Sequence, residues 1–191
     1  MSQGADPVRP PRDPAGQSRD RDSAGRPRNA RARDELGRPL PRTATSSAGN
    51  VAPVPDNLVV TPADAAALGG GMLAEGRPFH AHEVFEAAWK SSSGPERELW
   101  RGLAQIAVGL THARRGNARG AVTLLRRGAE RVRGYTAGPG RRAPDGVDAE
   151  FVAASADDVA TRIERDGLPA LTPADLCLTL DSASPQGTTP R

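Results

Sequence analysis

Several common building materials are scarce in this chain. A single cysteine, Cys177, excludes internal disulfides and multi-thiolate metal sites, and suits a reducing cytosol. Aromatic residues make up only 3% of the 191 residues and lysine occurs once, at Lys90, so basic charge is carried almost wholly by arginine. No apolar run approaches the roughly 18 residues that span a bilayer, and the start lacks the apolar core of a signal peptide. A soluble, cytoplasmic chain with no membrane partner is the expectation. Alternating strand patterns are also missing, so the fold is expected to be helical.

The two ends lack a core. The first fifty residues hold four large apolar side chains, Met1, Val8, Leu36 and Leu40, against seven prolines and ten arginines. Such a stretch cannot bury enough surface to offset chain entropy. Ten arginines against six acids give it +4 of the chain's net +3, leaving −1 for the remainder, so the pI near 9.9 describes no globally basic domain. The reading is a disordered Arg/Pro/Gly/Asp-rich tail and linker over residues 1–57, a helical bundle domain over 58–168, and a largely disordered C-terminal extension over 169–191.

Within the central region, Thr61-Pro62-Ala63-Asp64 supplies an N-cap, a proline at N1 and an acid at N3. A first helix is expected to about Glu75. Its Gly69-Gly70-Gly71 run costs about 1 kcal/mol per residue relative to alanine, so packing or a close neighbour must hold it. A second helix spans about His80 to Lys90, and Ser91-Ser92-Ser93-Gly94-Pro95 breaks the chain. A third runs from Glu96 to about Arg115, with Leu99, Leu103, Ile106, Ala107 and Leu110 on one stripe. A fourth runs from Ala118 to about Arg133, then a loop from Gly134 to Gly146 leads to two short helical stretches, Asp148–Ala154 and Asp157–Asp166, separated by a cap at Ser155.

The short break at Gly116-Asn117 makes helices three and four an antiparallel hairpin. Gly109, Gly116, Ala121 and Leu125 sit at spacings like those of one tetratricopeptide-type helix pair, with no sign of repetition along the chain. The fold class is therefore an all-α bundle of four to five main helices containing a tetratricopeptide-like hairpin.

All three histidines, His80, His82 and His112, fall in this region. At 100° per residue, His82, Glu86 and Trp89 share one stripe of helix two, with Glu83 at its flank and Val84, Phe85 and Ala88 opposite. On helix three, Arg101, Gln105, Val108 and His112 recur at i, i+4, i+7 and i+11. Buried polar groups need partners, and an inter-helix cluster of His82, Glu83, Glu86, Arg101, Gln105 and His112, beside Trp89 or Trp100, would supply them.

Three readings compete for that cluster. His82, Glu86 and His112 would hold a divalent transition metal such as zinc, iron or manganese, with His80 or Glu83 as a further ligand or general base, in a metal-assisted hydrolase. The spacing departs from the zinc-protease motif, because Glu86 stands where that motif has its second histidine. A metal-free site would use Arg101 on an anionic group and a Glu/His pair, Glu83 and His82, to move protons from a small-molecule ligand. A buried ion-pair network that fixes helix packing is the third reading.

The block Gly76-Arg77-Pro78-Phe79-His80-Ala81-His82-Glu83-Val84-Phe85-Glu86…Trp89, followed by Glu98-Leu99-Trp100-Arg101-Gly102-Leu103-Ala104-Gln105 and His112-Ala113-Arg114-Arg115-Gly116-Asn117, resembles a bacterial and archaeal family, the domain of unknown function 309. The resemblance covers about residues 63–135. It implies a small helical bundle distantly similar to tetratricopeptide hairpins, with no established activity. The family's motif positions fall on His82, Glu83, Glu86, Trp89, Arg101, Gly102, Gln105, His112, Gly116 and Asn117. Together with the polar cluster, it supports a ligand- or partner-binding helical module with a His/Glu/Arg pocket between helices two and three.

Residues 114–142 add a separate feature, nine arginines with one acid, Glu130. Arg119, Arg126, Arg127 and Arg133 are expected on the solvent side of helix four, a footprint for polyanions or nucleic acid. Only Tyr135 offers a stacking ring there, and no nucleic-acid motif accompanies it.

Overall fold

A computed structural model describes residues 34, 36–38 and 58–182. The described residues form five helices: α1 (Pro62–Ala74), α2 (Pro78–Ser91), α3 (Glu96–Arg114), α4 (Ala118–Thr136) and α5 (Ala149–Asp166), with single 3₁₀ turns at Leu168–Ala170 and Ala174–Leu176. No strand occurs among them, and no helix is long and apolar enough to cross a membrane. The tail read over residues 1–57 lies almost wholly outside the described residues.

Local sequence explains most helix ends. Thr61 caps α1 by accepting the amide of Asp64 at 3.1 Å, with Pro62 at the first helical position. Gly76 and Gly116 follow α1 and α3 with φ of +69° and +81°, a left-handed conformation that glycine adopts without strain and that turns the chain back on itself. Asp148 caps α5 by accepting the amide of Phe151 at 3.0 Å.

Three expectations need correction here. The loop placed from Gly134 starts later, because α4 continues to Thr136. The two short stretches after it are one continuous helix, α5: Val152, Ala156, Val159, Ala160 and Ile163 form an unbroken buried stripe that carries the helix through Ser155. The hairpin is also repeated. Gly69 lies under the ring of Phe85 as Gly109 lies under Leu125, and Gly76, Ala81, Gly116 and Ala121 keep the same 40-residue offset. α1–α2 and α3–α4 are thus two equivalent helix hairpins in tandem, with α5 packed on α4.

Close packing between α3 and α4 depends on absent side chains. A Cβ at Gly109 would stand 2.9 Å from Leu125 Cγ, and one at Gly128 would stand 2.6 Å from Ile106 Cγ1 and 2.8 Å from the carbonyl oxygen of Gly102. The core runs through the stack of Phe85 on Trp100, ring centroids 6.2 Å apart, and through Leu99, Leu103, Ile106, Leu110, Leu125 and Val132, all fully buried. Each such large side chain contributes about 1.5–3 kcal/mol of burial. Residues 169–182, placed by sequence in the C-terminal extension, fold back over the bundle and bury Leu176, Leu178 and Leu180.

Candidate functional site

Helix α2 displays the stripe expected of it. Phe85, Val84 and Ala88 are buried against α1 and α3, which turns His82, Glu86 and Trp89 toward the rim as half-buried side chains. His82 Nε2 lies 3.7 Å from Glu86 Oε2, and Glu86 Oε1 lies 2.9 Å from Lys90 Nζ, so Glu86 stands between an imidazole and an ammonium along one face. Burial lowers the His82 pKa below its ordinary value; the Glu86 carboxylate opposes that shift and Lys90 adds to it. The imidazole is therefore neutral near pH 7.

Two atoms on this stripe lack hydrogen bonds among the described residues. His82 Nδ1 and Trp89 Nε1 are both buried and unpartnered, seven residues apart on the same helix face. The indole ring itself is held from behind: the Arg97 guanidinium stands 4.5 Å from its centroid, and Arg97 Nη1 donates to the Trp89 carbonyl at 3.0 Å. Glu83 is half-buried at the flank, and His80 is fully buried with its ring edge-on to Phe79.

The polar residues of α3 go elsewhere. Arg131 of α4 donates from Nε to Gln105 Oε1 at 3.1 Å and pairs through Nη1 with Glu98, while Arg101 pairs with Glu98 at 3.5 Å on α3 itself. Asn117 donates from Nδ2 to His112 Nδ1 at 2.8 Å, which puts the ring proton of neutral His112 on Nε2, and Asn117 Oδ1 accepts the amide of Gly120 at 2.9 Å to cap α4. Gly120 leaves room for the His112 ring.

The six-residue cluster between helices two and three is thus not assembled. Trp100 marks the α2-facing side of α3, and Gln105 and His112 lie roughly 120–140° around the helix from it, on the α4 side. His82, Glu83, Glu86 and Trp89 stay together on α2; Arg101, Gln105 and His112 belong to the α3–α4 hairpin. Nor do His82, Glu86 and His112 converge on a metal: among the described residues no three His, Cys, Asp or Glu side chains form a metal-holding group. Sequence reading passed over Arg97 and Arg131, which make the decisive contacts. The signal for Arg131 was its place on the half-buried flank of α4.

The arginine face is partly engaged by α5. Arg126 pairs with Glu164 and lies 3.8 Å from Asp157, and Arg133 bonds Asp157 at 2.7 Å and Glu150 at 3.4 Å. Hydrogen bonds to Glu164 and to Asp157 raise the pKa of Arg126 and Arg133 respectively. These two arginines therefore tie α4 to α5, with Arg126 still exposed and Arg133 half-buried. Arg119 and Arg127 are exposed.

The segment holding both Gly turns and the whole of α2 and α3 has a relative. Residues 68–124 match the model of the family Domain of unknown function (DUF309). No curated protein and no solved structure matches the chain. The DUF309 match runs from within α1 into α4, so it contains the α2 stripe and the His112–Asn117 turn lock, while α5 and the C-terminal leucines lie beyond it.

Proposed function

We propose that this chain is a ligand- or partner-binding helical module whose contact surface is the outer stripe of α2: His82, Glu86 and Trp89, with Glu83 at the flank. The observation that carries this reading is the pair of buried, unpartnered atoms His82 Nδ1 and Trp89 Nε1 on one helix face. An unsatisfied buried polar group costs about 1–3 kcal/mol. A surface kept for stability alone would place apolar side chains there; a surface kept for binding holds such groups for a partner to satisfy.

The chemistry of that partner follows from the donors and acceptors. With the His82 ring proton on Nε2, toward Glu86, Nδ1 is an acceptor, and the Trp89 indole N–H is a donor about two helical turns away, roughly 10 Å. A ligand presenting an N–H or O–H at one end and a carbonyl or carboxylate at the other fits this pair. Amide groups of a peptide or of a polar small molecule have that character.

The test is a substitution that keeps volume and removes polarity. His82→Leu should leave the urea midpoint unchanged or raise it, because it deletes a desolvated imidazole without opening a cavity. A loss of more than about 1 kcal/mol would show that His82 serves the fold and would remove the reading. In parallel, an amide-bearing fragment library screened by NMR should shift the Trp89 indole and His82 ring resonances together, and the His82→Leu variant should lose that response.

A further inference from the structure

The segment after α5 follows a path that the helices prepare. Asp175 is bound to Arg162 near the C-terminal end of α5 at 2.8 Å, and the Leu180 carbonyl accepts the amide of Asp148, the α5 N-cap, at 2.7 Å. On the other side Cys177 lies beside Gly76 after the end of α1, and Leu180 lies beside Gly70 in its middle. The segment therefore descends both helices from C-terminal to N-terminal end, between them, and its 3₁₀ turn at Ala174–Leu176 touches α3 below.

Within that groove the segment has the pattern of a bound extended peptide. Leu176, Leu178 and Leu180 are buried at alternate positions, while Cys177, Thr179 and Asp181 between them are only partly covered. The groove is wider than its occupant. A cavity of about 660 Å³ remains between the segment and the small-residue face of α1, lined there by Ala63, Ala67, Gly70, Gly71 and Ala74. That volume lies in the range of sites that hold whole ligands, roughly 300–1,000 Å³. The space opens to solvent along the segment, so it can be entered while Leu176, Leu178 and Leu180 stay in the core.

We propose that the groove between α1 and α5, floored by α3, is a binding site for an extended peptide with leucines at alternate positions after an aspartate, and that residues 175–181 are its occupant within the same chain. A partner segment of that chemistry enters by displacing them. Tethering gives the internal occupant an effective concentration in the millimolar range, so the free chain resists weak competitors and yields to a segment that also uses the remaining cavity. This surface is separate from the outer stripe of α2, and either holds without the other.

Amide hydrogen exchange in the unaltered full chain reports the opening, because the Leu180 carbonyl holds the Asp148 amide and the Ala174 carbonyl holds that of Cys177. Both amides should exchange at least ten-fold faster than the buried amides of α3, because the segment opens while the helices stay formed. Exchange of the two only at the rate of global unfolding would overturn the proposal. A second measurement uses the full-chain double variant Leu178→Ser, Leu180→Ser, which weakens the internal occupant. A fluorescent peptide of residues 174–182, carrying serine for cysteine, should bind this variant at least ten-fold more tightly than the wild-type chain. A helical variant that binds the peptide no better also overturns it, and a variant that dimerises without taking up peptide does so in favour of a second copy as occupant. If the variant does not fold, the exchange measurement on the wild-type chain decides alone.

Discussion

The ring of Phe85 rests against the bare Cα of Gly69, leaving no room for a methyl group between α1 and α2. Two positions further on, Gly71 has nothing within 4 Å of where a Cβ would stand. The glycine run of α1 thus contains opposite cases. Gly69→Ala should destabilise the protein by about 1–3 kcal/mol through overpacking, whereas Gly71→Ala should stabilise it by about 0.5–1 kcal/mol through helix propensity and reduced unfolded-state entropy. Urea midpoints of the two single variants check both signs.

The same logic applies forty residues later. Gly109→Ala and Gly128→Ala each drive a methyl group into the facing helix, against Leu125 and Ile106. Losses of about 1–3 kcal/mol are expected for each. Similar losses at Gly69 and Gly109 would mark the two hairpins as equivalent; a neutral Gly109→Ala would break the equivalence.

The reassignment of the α3 polar stripe makes a coupling prediction. Gln105 and Arg131 touch, so a double-mutant cycle between Gln105→Ala and Arg131→Ala should show about 0.5–1 kcal/mol of interaction. The cycle between Gln105 and Glu86 should be additive within about 0.3 kcal/mol. The Arg131–Glu98 pair is itself partly exposed, 28% and 46%, so its own coupling should stay within about 0.2–1 kcal/mol. Asn117→Ala should cost about 1 kcal/mol as a lost helix cap, and His112→Ala should cost less than the 3–5 kcal/mol of a broken buried ion pair.

His82 sets a pH dependence of definite sign. Its folded-state pKa is lowered by burial, so just below the ordinary value of 6.5 the unfolded chain binds more protons than the folded one. Stability contributed by the neutral ring is full above that value and falls as pH drops through the window beneath it. Unfolding at pH 7.5 and 5.5 should show this loss, and His82→Leu should reduce it. An NMR titration of the His82 ring should give a midpoint below 6.5; a midpoint above it would contradict the burial argument.

Much of this molecule was legible from residue order. Thr61-Pro62, Gly76, Gly116 and the 3.6-residue apolar periods place the helices, because caps, left-handed turns and amphipathic stripes are local matters. The stripe of His82, Glu86 and Trp89 also follows from helical angles alone. Helical angles relate residues within one helix and carry no information about which neighbour each face meets. Leu99 to Leu110 is apolar on more than one side, so Gln105 and His112 were assigned to α2 when α4 receives them.

The sequence by itself determined an all-helical chain, the positions of its turns and the polar stripe of α2. Only the tertiary structure decided that the α3 polar groups serve the α3–α4 hairpin, that Arg126 and Arg133 are engaged by acids of α5, that the hairpin occurs twice, and that Leu176, Leu178 and Leu180 lie in a groove. Each of those rests on contacts between side chains far apart in the chain, where burial and charge neutralisation act only once the helices have packed.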